Sequence, residues 1–151
     1  MIKLFFTILT VISVTSIKGQ IIATIQMDKP VEGICDNNKV YALFSAFKDQ
    51  SEAVCPLSKE EILKKVNENV TFIQADKKYK DNCGVRFLIN CKGEVVRFEV
   101  NNHTKLEELG AHLDKALRPV TGWKPGKLHD TDVDSEFTFL FKVKKGQIVF
   151  E

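Results

Sequence analysis

Residues 84–100 read GVRFLINCKGEVVRFEV, and their period decides the fold. Val85, Phe87 and Ile89 point one way while Arg86, Leu88 and Asn90 point the other. After the break Asn90-Cys91-Lys92-Gly93, Val96, Phe98 and Val100 alternate with Val95, Arg97 and Glu99. A period of two on both sides of a polar-polar-Gly turn is an antiparallel hairpin with one apolar face. Gly93 supplies the positive φ that such a turn requires.

The flanks supply what covers that face. Upstream, Ser58 followed by Glu61 is a capping box, and Ile62, Val66, Val70 and Ile73 form one stripe with Leu63 beside it. Downstream, Asn101, Asn102 and Thr104 introduce a second helix on which Leu106, Leu109, Leu113 and Leu117 recur until Pro119. Phe137, Phe139, Phe141 and Val143 then alternate with Thr138, Leu140 and Lys142, which predicts a third strand. Lys144-Lys145-Gly146 turns the chain into a short fourth at 147–150. Helix, strand, strand, helix, strand is economically packed as an α+β fold, a small antiparallel sheet covered by helices. Val40, Leu43, Phe44 and Phe47 predict a further helix over 38–47, so residues 20–80 are expected to form an additional N-terminal helical portion.

Residues 1–19 combine Lys3, an apolar stretch over 4–17 and a small Gly19, the pattern of a secretory signal peptide. The apolar stretch is shorter than the roughly 20 residues that span a bilayer core. Cleavage there leaves a single mature domain at 20–151, located in the periplasm or secreted, with no membrane span. The chain carries 22 basic and 20 acidic residues; Lys3 and Lys18 leave with the signal, so the mature balance is neutral. A neutral domain has no electrostatic reason to bind nucleic acid.

Cys35, Cys55, Cys83 and Cys91 predict two disulfides in an exported protein. Cys83 and Cys91 flank one strand and are too far apart to bond. Cys35–Cys83 with Cys55–Cys91, or Cys35–Cys91 with Cys55–Cys83, remain open. No free thiol is expected.

The region 84–143 resembles the C-terminal domain of TonB-type energy transducers in their Bacteroidetes form. The resemblance rests on Gly84-Val85, Lys92-Gly93, Thr104, Leu113 with Ala116 and Leu117, Trp123-Lys124-Pro125-Gly126, the polar turn 127–131, Val133 and the aromatic strand 137–143. It implies a TonB C-terminal-like portion over 84–151 that holds an extended peptide of an outer-membrane receptor by strand addition, or pairs two copies as a homodimer. The transducers also carry a membrane anchor and a Pro-rich spacer, whereas Pro30, Pro56, Pro119 and Pro125 make no spacer here. The resemblance therefore implies an exported protein-interaction module without energy coupling. The alternative is a secreted, disulfide-stabilised structural or inhibitory protein with no transport role.

Trp123 reads as a core plug, with a groove wall as the rival. His103, His112 and His129 lie on separate elements without ligand spacing and read as surface residues. Asp130, Asp132 and Asp134 alternate as in a calcium loop, but the Gly and distal Glu are missing in register and Glu136 is too near, so a solvated loop is expected. Glu60-Glu61 and Glu107-Glu108 are helix neighbours that do not face each other. With no GxSxG, HExxH or phosphate loop, the sequence predicts no enzyme, no cofactor and no metal site.

Overall fold

A computed structural model describes residues 21–36, 39–101 and 107–151. The expected signal at 1–19, and Asn102, His103, Thr104 and Leu106, lie outside the described residues.

The hairpin is the centre of the structure. Strand β4 (Asp81–Ile89) pairs antiparallel with β5 (Val95–Val100) on one side and, over nine residues, with β8 (Ser135–Lys144) on the other. Val85, Phe87 and Ile89 are buried, as the period requires. The strand starts earlier than the sequence predicts: Asp81-Asn82-Cys83-Gly84 is extended and pairs with β8, because a long partner strand extends the ladder backwards. A bulge between Leu88 and Ile89 sets Ile89 opposite Val95 and leaves Val96 over. Val95, not Val96, therefore packs against the core at that end of β5. Gly93 has φ +80, and a Cβ there would lie 2.2 Å from the Trp123 carbonyl oxygen, so both conformation and space demand glycine.

Two helices cover the apolar face in part. Helix α1 (Lys59–Asn69) has the expected capping box: the Ser58 amide donates to Glu61 at 2.7 Å and the Glu61 amide to the Ser58 hydroxyl at 3.2 Å. It stops at Val70, and residues Thr71–Ala75 tighten into a 3-10 turn that still buries Ile73. Asn67 and Asn69 in the last turn bond back to the carbonyls of Leu63 and Lys65, the local competition that makes Asn a poor helix interior residue. Helix α2 (Glu107–Leu117) buries Leu109, Leu113, Ala116 and Leu117.

Residues 21–58 correct the expected helical portion. They supply β1 (Ala23–Ile25), β2 (Val40–Ala42) and β3 (Gln50–Ser51). Where a helix over 38–47 was expected, β2 pairs parallel with the start of β8, Tyr41 opposite Ser135. Val40 and Leu43 are buried from this extended path, while Phe44 and Phe47 are exposed in the turn that follows. A free edge on β8 and a β-branched Val40 outweigh a spacing that fits a helix only by coincidence. The main sheet, ordered β1-β2-β8-β4-β5, is therefore mixed and not purely antiparallel. Strand β9 (Gln147–Phe150) folds back on β8 as expected, pairing along the same edge as β2 but at the opposite end. A small second sheet joins β3, β6 (Gly126–Leu128) and β7 (Thr131–Val133).

Candidate functional site

Trp123 is only 4% exposed and seals the core. Its ring packs on Phe87 at 4.8 Å and Phe137 at 5.2 Å, and its indole N–H donates to the Val120 carbonyl at 3.1 Å. The rest of the loop is equally committed. Lys124 exchanges two backbone bonds of 3.0 Å with Val54, and a Cβ on Gly126 would lie 2.5 Å from both Leu43 and the Ser135 hydroxyl. The loop is a structural joint, and the groove-wall role falls away.

The cysteines divide into a clasp and two thiols. Cys35 and Cys91 are bonded across a sequence separation of 56, which joins the lead-in segment to the hairpin turn. The expected second disulfide is absent: Cys55 and Cys83 are free. Cys83 sits inside the core on β4, and burial, with Asp81 nearby, pushes its thiol up to about 12. Burial also raises Cys55, which is half-buried near Leu57.

Asp134 belongs to the clasp and corrects the solvated-loop expectation. It is 2% exposed; one carboxylate oxygen accepts from the amides of Cys35 at 2.8 Å and Asp36 at 2.7 Å, the other from Cys91 at 2.9 Å. Asn90 adds a bond from its side-chain amide to the Gly33 carbonyl. Donor atoms of Cys35, Cys91 and Asp134 converge within 4.8 Å, but the two sulfurs are bonded to each other and offer no thiolate to a metal. Asp132 is ion-paired with Lys127, and Asp130 and His129 are exposed with positive φ. His112 lies beside Glu108 at 3.7 Å, away from His129 on its separate loop.

The outer face of the sheet is polar and shallowly concave. Arg86 stands between Glu136 at 3.4 Å and Glu99 at 3.9 Å, and Arg97 reaches Glu99 at 3.1 Å. Burial raises the Glu136 carboxyl, with Glu99 adding to the shift and Arg86 opposing it. Residues 25–29 close one side of this cluster, leaving a depression of about 320 Å³. A second of about 520 Å³ lies around Gly84, Arg86 and the exposed Leu140. The arginine and glutamate charges at the centre of this face answer one another.

The sheet edges differ. Among the described residues, strand β9 pairs with β8 alone and is an exposed edge of the kind that protein partners can use. Its middle, however, is taken: the Ile148 amide donates to the Asn67 side-chain oxygen at 2.8 Å, and the Asn67 amide donates to the Ile148 carbonyl at 2.9 Å. A single side-chain amide thus imitates one residue of a further strand. Nothing in the sequence pattern flagged Asn67, and the acidic alternation that drew attention to Asp134 gave it the wrong role, because each acts on backbone 81 and 43 residues away, respectively. At the other end β5 pairs with β4 alone among the described residues.

No family model, no curated protein and no solved structure matches the chain. The fold and its surfaces define the class: a small α+β protein with a mixed sheet partly covered by two helices, carrying one disulfide. Among the described residues no helix is long and apolar enough to cross a membrane.

Proposed function

We propose that the chain is an exported, disulfide-clasped structural or inhibitory protein that acts by surface contact with another protein and has no transport role. One observation carries this over receptor-peptide capture at the β9 edge: Asn67 already holds the outward amide and carbonyl of Ile148. Strand addition needs those groups free, since main-chain hydrogen bonds give it its affinity. The Cys35–Cys91 bond supports an oxidising compartment, where such bonds persist.

Calorimetric titration with extended peptides from outer-membrane receptors tests the reading. With the outward amide of the other edge strand, β5, removed by Val100→Pro, the protein takes up none, while Asn67→Ala or removal of residues 146–151 in the same background opens the β9 edge and permits uptake. Micromolar binding by the Val100→Pro protein with Asn67 in place would restore the receptor-capture reading that the resemblance to TonB C-terminal domains implies. Export is tested separately by fusing residues 1–24 to a reporter enzyme that works only outside the cytoplasm. A reporter that stays inactive contradicts export.

A further inference from the structure

The geometry points to β5 as a self-pairing edge, through which two copies of this chain join antiparallel about Phe98. The first ground is the direction of the backbone. The Asn101 amide donates to the Gly84 carbonyl at 2.8 Å, which fixes the alternation along the ladder. Glu99 and Arg97 then exchange bonds with Arg86 and Leu88, while the amides and carbonyls of Phe98 and Val100 point away from β4. Among the described residues no strand receives them.

The second ground is the sequence of the edge, Val96-Arg97-Phe98-Glu99-Val100. Read antiparallel to itself about Phe98, it sets Arg97 opposite Glu99 of the second copy and Glu99 opposite Arg97. Opposite charges directly across a ladder are favourable. The neighbouring register, centred on Glu99, would set two glutamates face to face and is disfavoured by the same rule. Phe98 also falls on the hydrogen-bonding parity, so the two-fold axis passes through a pair that exchanges both of its bonds.

The surroundings leave room. A groove of about 370 Å³ runs beside the strand, lined by residues 93–98 with Arg118, Thr121 and Gly122. Arg118 lies 4.8 Å over the Phe98 ring and is neutralised by Asp114, so it adds no unpaired charge to the seam. The bulge opposite Ile89 ends the regular stretch near Val96, which keeps the joint short and the association reversible. The pairing is independent of export and of the closure of β9.

Sedimentation equilibrium over a range of concentrations tests it. The protein is expected to show a reversible monomer–dimer equilibrium. Arg97→Glu or Glu99→Arg alone turns both cross-strand pairs repulsive and weakens dimerisation about tenfold or more. The two changes together restore opposite charges across the seam and return the affinity to within about threefold of the original. Val100→Pro removes an outward amide without touching the β4 ladder and abolishes the dimer, with circular dichroism confirming the fold. A wild-type protein that remains monomeric at its highest soluble concentration overturns the proposal. So does a dimer indifferent to Val100→Pro, or one that the double exchange fails to rescue.

Discussion

Trp123 is the residue on which the two halves of the core close. It touches the hairpin through Phe87 and the last long strand through Phe137 and Phe139, so its loss leaves a cavity that neither strand can fill alone. Trp123→Ala is expected to cost about 3–5 kcal/mol in urea denaturation, the range for deleting a large core aromatic. A midpoint close to that of the parent would remove the plug. The thiols give a second residue-scale test. The thiolate is the reactive form, and Cys83, pushed up to about 12, is almost wholly protonated at pH 8 as well as buried. In the folded protein Ellman's reagent should therefore leave Cys83 unmodified and reach Cys55 slowly, both reacting once urea is added. Raising the pH toward 9 should speed Cys55 first, because its rise is the smaller. Rapid modification of Cys83 in the native state would place it outside the core.

At the scale of elements, Ser58 bears on α1 alone. Its hydroxyl caps Glu61 while Glu61 returns the bond, and Ser58→Ala should cost about 1 kcal/mol with no change in the native spectrum. A neutral substitution would show that α1 is held by packing only. What the sequence made legible is the regular part. The capping box, the Leu stripe of α2, the alternation of 85–89 and the Phe ladder of β8 all follow from local periods of 3.6 and 2. What it hid depends on partners distant in the chain. Val40–Ala42 is a strand because β8 offers an edge, and three residues are too few for a period to show. Val95 replaces Val96 in the core because the bulge lies in the pairing, not in the sequence of either strand. The hairpin turn shifts nothing in the α+β class, but the parallel entry of β2 makes the sheet mixed.

For the whole molecule, the Cys35–Cys91 bond and Asp134 tie the lead-in, the hairpin turn and the start of β8 to one point. Closing a loop of this length restricts the unfolded chain by about 4 kcal/mol. Reduction, or Cys35→Ser with Cys91→Ser, should lower unfolding stability by about that amount in a single transition. An unmoved midpoint would show that the bond closes no loop that unfolding opens. Of the candidate surfaces, only the Trp-Lys-Pro-Gly loop and the edge strands were visible in the sequence; the device that separates an open edge from a filled one was not. Asn carries no local sign that its amide will stand in for a strand 81 residues away. Closure of that edge is the ground of the proposal that the protein acts by surface contact and not by capturing a peptide at β9. Amide hydrogen exchange at Ile148 tests it most directly. With Asn67 in place, the Ile148 amide should exchange as slowly as its core neighbours on β8, and Asn67→Ala should release it to the fast exchange of an open edge. Fast exchange at Ile148 in the unsubstituted protein would contradict the closure, and with it the ground for setting receptor-peptide capture aside.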